Sequence, residues 1–406
     1  MPKLEIEIVN GGLGRASLNT DNWGGLFVEQ TALPSGWADN EVKKILKVED
    51  VAEYGIVETA TDQNLKLAYW HISEVFRVTK LRGVDATLFV QLSTTVSDYD
   101  VINTAFKNSD DRIRNLAYVF TTLTLSDSEV SDLHDSIEKL WSDYYMGARG
   151  IVSYKKDAGD AIPDFSATDY NRVKVDISND LTVGGIAKAI FDGTLGMCGG
   201  AGMMLGQRLG LSVHQKSSWR AKEINSEGRW ATLGDINGDS VENKTEAEKT
   251  AYETLGVDLV LRQLKLVDAF IANDRVATAI SDDYAFMNNA NVIDKAAYLA
   301  YMGLVRSLDR PIYVDPATGY LDPESISVLQ SAAYNSINTN MVIGRTGDDV
   351  EVSIDRATGS LPRRAIYIDP KQNLIGSDKI FVEIRIVPVK SAEEISVTIG
   401  LTANLA

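Results

Sequence analysis

The stretch DKIFVEIRIVPVKSAEEISVTIGLTANLA, residues 378–406, decides how this chain is read. Ile380, Val382, Ile384 and Ile386 recur with a period of two, and Ile395, Val397, Ile399 and Leu401 repeat the pattern after a short polar break. Strict alternation of β-branched residues predicts half-buried strands. A strand ending five residues before the last one is expected to pair with something, because an open edge leaves N–H and C=O groups without partners. Near the other end, Leu4, Ile6 and Ile8 alternate with Glu5 and Glu7, and Gly11 and Gly12 then release the chain. Two terminal strands on leashes predict a protein that donates strands to its neighbours. The alternative is that both strands close a sheet within their own subunit.

Working inward, residues 24–30 read as a strand, and Thr61 or Asp62 is placed to cap a helix whose apolar face is Leu65, Ala68, Tyr69, Ile72, Val75 and Phe76. Strands are predicted over 86–92, 116–125 and 150–154. Ser126 and Glu129 have capping-box spacing ahead of Val130, Leu133, Ile137, Leu140 and Trp141. Strand, helix, strand, helix, strand predicts an α/β (α+β) layer structure. The polar stretch 215–250, with Trp219 and Trp230, reads as an insertion or surface loop. Order returns at 257–278. Asn291 is expected to cap a helix over 292–308, and Asp322 a second one with Pro323 at its first position, where proline's missing donor costs nothing. The apolar face of that second helix is Ile326, Leu329, Ala333 and Ile337, and strands follow at 350–354 and 365–368.

Composition narrows the function. A formal charge of −17 over 406 residues speaks against nucleic acid as partner, since phosphate binding needs a basic surface. The single cysteine, Cys198, excludes an intramolecular disulfide and a multi-cysteine metal site. The most apolar window, 193–211, holds seven glycines and Arg208 and is too short for a bilayer, so no membrane insertion is expected. The polar alternating start is not a signal peptide, which predicts a protein that is cytosolic when made.

Motifs with chemistry are few. His71, His134 and His214 lack zinc-type spacing, and Cys198 in GMCGG has no nucleophile context. The cluster GTLGMCGGAGMMLGQRLG has no Lys-Ser/Thr for a Walker loop and misses the dinucleotide spacing by one residue; close packing is the better reading, a phosphorylated-ligand site the lesser one. Asp235, Asn237 and Asp239, with Asn243 and Glu246, resemble a calcium loop, but Ser240 stands where the turn needs glycine. No catalytic residue, cofactor site or metal site is assigned, and the chain is expected not to be an enzyme.

The segments NVIDKAAYLAYMGLVRSLDRPIYVDPATGYLDPESISVLQ and GSLPRRAIYIDPKQNLIGSDKIFVEIRIVPVKSAEEISVTIGL resemble the C-terminal domain of contractile tail sheath proteins of bacteriophages and contractile injection systems, in their small, Mu-like form. The features that carry this are Ile293-Asp294-Lys295-Ala296 on a helix, the Asp315–Gly319 turn, and strand, Val-Pro-Val, strand at the end. The resemblance implies an N-terminal arm (1–20), an outer α/β domain (21–280, with the loop or insertion at about 212–250), an inner core domain with mixed sheet and helices (281–390) and a C-terminal arm (391–406). It further implies helical self-assembly as stacked hexameric rings around an inner tail tube, arms exchanged as added strands, and contraction that drives the tube through an envelope. Baseplate and tail terminator proteins are the remaining implied partners, and a virion tail or contractile particle the location. Arg345, Arg356, Arg363, Arg364 and Lys371 are candidate tube contacts, with solvated turns as the equal alternative. A tail or capsid-like assembly protein without contraction is the runner-up.

Overall fold

The computed structural model describes residues 21–94, 96, 98–155, 161–242, 244–262, 267–307, 312–344, 350–353, 365–372 and 380–388. The first half forms β1 (Trp23–Glu29), β2 (Val42–Ile45), α1 (Gln63–Leu81), β3 (Thr87–Ser93), α2 (Tyr99–Ser109), β4 (Asn115–Thr124), α3 (Asp127–Tyr144) and β5 (Arg149–Lys155). There follow β6 (Asp169–Tyr170), β7 (Val173–Asp176), β8 (Ser178–Asp180), α4 (Ile186–Phe191), α5 (Ala201–Leu209), β9 (Leu233–Asp235), α6 (Glu246–Thr254), β10 (Val260–Arg262), β11 (Ala269–Ile271) and β12 (Ala277–Thr278). The last part holds α7 (Met287–Leu304), α8 (Pro323–Asn340), β13 (Ile343–Gly344), β14 (Val352–Ser353), β15 (Ile366–Tyr367) and β16 (Glu383–Ile384).

The organising layer is a six-stranded sheet of order β2-β3-β1-β4-β5-β7. Its strands are parallel except β2, which runs antiparallel to β3 at the edge. Parallel sheets are covered on both faces, so their strands read as continuous apolar runs. β1 shows why: a methyl group on Gly24 would run into Leu205 and Leu209 of α5, and one on Gly25 into Phe106 of α2 and Leu116. One face therefore carries α5 with α1, and the other α2 with α3. The main apolar core runs from Leu26 to Met287. A second cluster joins Val292, Ala296 and Leu299 of α7 to Ala333 and Ile337 of α8, with Val352 and Ile366. A third, small one holds Leu321, Ile326, Leu329 and Ile368.

The α/β class and the four strands and two helices predicted for the first half stand, with shifts of a residue or two at their ends. Ser126 caps α3 by accepting from the Glu129 N–H at 3.3 Å. The Glu129 carboxylate takes the Tyr99 hydroxyl at 2.6 Å. α8 matches closely: Asp322 accepts from the Glu324 and Ser325 N–H groups, and the buried side chains are Ile326, Leu329, Ala333 and Ile337. α1 buries a wider band than its predicted face, including Trp70, His71, Glu74 and Arg77, because α5 packs along one side of it and residues 224–230 bond to Glu74 and Arg77 on another.

Two expectations are corrected. Asn291 does not cap α7, which begins four residues earlier at Met287; the Asn291 side chain is buried inside the helix and donates to Asn115 Oδ1 on β4 at 3.2 Å. A cap-type residue was available for a tertiary bond and was used there. The stretch 215–250 is not a surface loop. Trp230 is fully buried, its ring 6.2 Å from that of Trp70 and its Nε1 donating to Glu74 at 2.7 Å, and Ile224, Leu233 and Val241 join the main core. Arg220, Arg229 and Asp235 bond inward, to the Ile271 and Ala272 carbonyls, Glu74 and Tyr252, while Glu223, Glu227, Asp239 and Glu242 of the same stretch are exposed.

α5 crosses α1 at glycines four residues apart. A Cβ on Gly202 would lie 2.6 Å from the His71 carbonyl oxygen, and one on Gly206 2.8 Å from that of Val75. In an open helix, glycine to alanine gains up to about 1 kcal/mol of propensity. Here the overlap with backbone costs about 1–3 kcal/mol and wins. A Gly202→Ala, Gly206→Ala variant is expected to unfold at lower urea, followed by far-ultraviolet circular dichroism. An equal or higher midpoint would show that the helices do not touch as described.

Candidate functional site: closed ligand positions and an exposed carboxy-terminal strand

In an open parallel sheet, ligands bind beyond the carboxyl ends of the strands where successive connections leave in opposite directions. That point lies between β1 and β4, since the chain passes from β1 to β3 on one side and then to β4 on the other. Glu29, 3% exposed, fills it. Its carboxylate accepts from the Thr121 N–H at 2.6 Å, the Thr122 N–H at 2.9 Å and the Thr122 hydroxyl. Beside it, Gln30 Nε2 donates to the Asn64 carbonyl at 3.3 Å.

The glycine-rich run forms a second would-be anion cradle, leading into the N-terminus of α5. Gly199 makes the turn at φ +75°. Five successive N–H groups then point at side chains. Cys198 and Gly199 donate to Asn179 Oδ1 at 3.3 and 2.9 Å, and Gly200 to Asp176 Oδ2 at 2.6 Å. Ala201 donates to Ser153 Oγ at 3.1 Å and Gly202 to His71 Nδ1 at 3.1 Å. Asp176 occupies the place an anionic ligand would take, and among the described residues no lysine or arginine pairs with it. Burial pushes its carboxyl up in spite of the Ser153, Ser178 and Gly200 donors. The packing reading of the glycine cluster holds.

His71 and Cys198 serve the same junction. His71 is fully buried, and with Nδ1 accepting from Gly202 its Nε2 donates to the Cys198 carbonyl at 2.8 Å. The ring is therefore neutral, and burial lowers its pKa to about 4 despite the Cys198 carbonyl and Glu74. Burial also pushes the Cys198 thiol well above its ordinary range, which removes it as a nucleophile. His134 on α3 accepts from the Arg172 N–H at 3.3 Å. The buried Asp235 of the calcium-like loop accepts from the Asn237 and Asp239 N–H groups at 2.9 and 3.1 Å and from the Tyr252 hydroxyl at 2.8 Å, with Lys244 3.6 Å away. Asn243 and the Glu246 side chain lie outside the described residues. Among the described residues no three His, Cys, Asp or Glu side chains cluster as metal ligands.

Sequence reasoning missed a set of buried ion pairs. Lys174 lies 2.7 Å from Asp258 and 2.8 Å from Asp274. Glu74 pairs with Arg77 and Arg229, each at 2.7 Å. Asp294 bridges Arg149 at 2.7 Å and Arg172 at 2.9 Å, and Lys295 bridges Asp21 at 2.6 Å and Glu351 at 2.7 Å. The one available signal was Asp294-Lys295 within an otherwise apolar helical run.

The carboxy-terminal strand is the exposed counterpart. Val382, Ile384 and Ile386 pack on the second cluster, and Ile380 with Val382 on the third. Between them Phe381 and Val387 stand 71% and 62% exposed. The backbone pairs antiparallel with β15, and Pro388 bridges Val352. This first alternating run thus lies on its own chain. Leu4, Ile6, Ile8, Gly11, Gly12, Ile395, Val397, Ile399 and Leu401 lie outside the described residues, as do Arg345, Arg356, Arg363 and Arg364. Lys371 is exposed in a turn in which its N–H donates to Asp369 at 2.9 Å.

His71 gives a pH signature. Its folded pKa lies below the unfolded value of 6.5, so the unfolded chain binds the proton first as pH falls. The stability it contributes is complete above pH 6.5 and is lost progressively toward pH 4, about 3 kcal/mol in all. Urea midpoints measured from pH 7 to 4.5 should fall less steeply for His71→Gln than for the parent chain. Parallel slopes would mean that His71 titrates normally.

No protein-family model and no curated protein matches the sequence. Solved structures do match. The chain is similar to the helical sheath of the anti-feeding prophage in its contracted state, at TM-score 0.59 and 12% identity over 99% of both chains. It is also similar to the sheath complex of the extracellular contractile injection system PVC, contracted, at TM-score 0.57 and 11% identity over 99% of this chain and 98% of that one. Against the sheath tail protein of Listeria innocua the TM-score is 0.51 at 10% identity, over 92% and 93%. Over nearly its whole length, the chain has the fold of contractile tail sheath proteins.

Proposed function

We propose that the chain is the structural, non-enzymatic subunit of a contractile sheath. It polymerises as stacked rings around an inner tube, exchanges its terminal strands with adjacent subunits, and contracts to drive the tube through a target envelope. The observation that carries this reading is the near-full-length similarity to sheath folds, in a chain whose sheet crevice and glycine loop are filled by its own Glu29 and Asp176. Residues 1–20 and 391–406 are the arms, 21–280 the outer domain and 281–390 the inner one. That division agrees with a main core that ends at Met287 and a second cluster built on α7 and α8, with Val213 the one residue of the outer segment in it. Baseplate and terminator proteins close the assembly at its ends, in a virion tail or related particle built in a bacterial cytoplasm.

Strand exchange suits a contracting lattice. Each added strand contributes about 5 kcal/mol from roughly five net hydrogen bonds, enough to keep neighbours linked while their bodies rotate. The exposed Lys371, with Arg345, Arg356, Arg363 and Arg364, supplies a basic group against an acidic tube. Electron microscopy of the purified chain beside a version lacking residues 1–12 and 392–406 tests the reading. Tubes or stacked rings from the full chain and monomers from the shortened one are expected. Tubes from the shortened chain would sink strand exchange. Charge reversal at Arg363 and Arg364 is expected to leave the monomer folded and to abolish co-sedimentation with tubes; unchanged co-sedimentation would remove the basic contact.

A further inference from the structure

Lys295 sits where the two ends of the described body meet. It is 2% exposed on α7, and its ammonium lies 2.6 Å from Asp21 and 2.7 Å from Glu351. Asp21 is the residue from which β1 departs, directly after residues 1–20, and Arg114 holds its other oxygen. Glu351 immediately precedes β14, whose Val352 bridges Pro388 and whose Ser353 N–H donates to the Val387 carbonyl at 3.0 Å. Glu351 is itself fixed: its second carboxylate oxygen takes the Val342 N–H at 2.8 Å, and its own N–H donates to the Val342 carbonyl at 2.8 Å. One cation thus joins the start of the body to the strand beside which it ends.

We infer that Lys295 is a positioning residue that fixes the departure points of residues 1–20 and 389–406 side by side. The cluster is balanced, two carboxylates against Lys295 and Arg114, so its role is geometric rather than a net field. Its consequence for assembly rests on the sheath reading. Strands donated from one corner are placed together, and a displacement of one leash is transmitted through Lys295 to the root of the other.

The test uses the full chain with spin labels at Asn22→Cys and Val387→Cys, beside the two departure points, the native Cys198 being fully buried and unlabelled. The parent monomer is expected to give one short label-to-label distance. A neutral replacement that removes both cations and both carboxylates, Lys295→Met and Arg114→Met with Asp21→Asn and Glu351→Gln, is expected to keep the melting temperature within a few degrees, broaden the distance into a longer population and lower tube yield at least tenfold. Lys295→Arg, which keeps the charge, is expected to retain the short distance. An unchanged distribution in the neutral variant overturns the inference. If that variant does not fold, Glu351→Gln alone, which frees only the later segment, decides by the same comparison. Because the distance is read on monomers, a parent chain that never forms tubes would count against the sheath reading while leaving the Lys295 result standing.

Discussion

Five consecutive backbone N–H groups, from Cys198 to Gly202, meet the side chains of Asn179, Asp176, Ser153 and His71, and the rest of the body depends on that closure. Leaving one buried donor without a partner costs about 1–3 kcal/mol. Five unmet donors would therefore rival the whole 5–15 kcal/mol by which a typical domain is stable. The side chains that meet them come from β5, β7, β8 and α1, so capping α5 also fixes where these elements stand relative to one another. Asp176 tolerates its burial because the Ser153 hydroxyl, the Ser178 N–H and hydroxyl and the Gly200 N–H donate to it, and it lies at the positive end of the α5 dipole. The glycines complete the arrangement: a methyl group at Gly202 or Gly206 would separate α5 from α1 and pull the N–H groups off their acceptors.

What the sequence disclosed divides along the range of the interactions. Local signals were readable: the period-two run from Ile380 to Ile386, Asp322 ahead of Pro323, and the buried faces of α3 and α8. Each is decided by residues within a turn or two. The misreadings are places where a local signal was overruled from far away. Asn291 looks like a cap until Asn115, 176 positions distant, claims its amide. The polar stretch around Trp230 looks solvated until Glu74, 156 positions away, takes the indole N–H. The partners of Lys174, Asp294 and Lys295 were not readable for the same reason, since no spacing in the sequence tells which opposite charge each will reach.

α7 joins the two apolar clusters, and its charged residues define how. Asp294 reaches back to Arg149 on β5 and to Arg172, while the next residue, Lys295, reaches Asp21 and Glu351. Buried ion pairs are weak evidence for net stability, because desolvation offsets much of the attraction. Removing one partner nevertheless strands a buried charge at a cost of about 3–5 kcal/mol, so the geometry is steeply preferred over its neighbours. The helix behaves as a rivet with two heads, one in the main sheet and one in the small strands that follow it.

Among the described residues, three would-be ligand positions are filled from within the chain. Glu29 occupies the sheet crevice, Asp176 the glycine cradle, and Asp235 the calcium-like turn, each with its acceptors already engaged. Among the described residues, Phe381 and Val387 on the outer side of the last described strand, and Lys371 in the turn before it, stand on the surface. A strand with one side packed on its own core and apolar side chains on the other is suited to contact between chains rather than to chemistry. This also accounts for a fold held at 12% identity: packing and internal capping constrain shape through many exchangeable solutions.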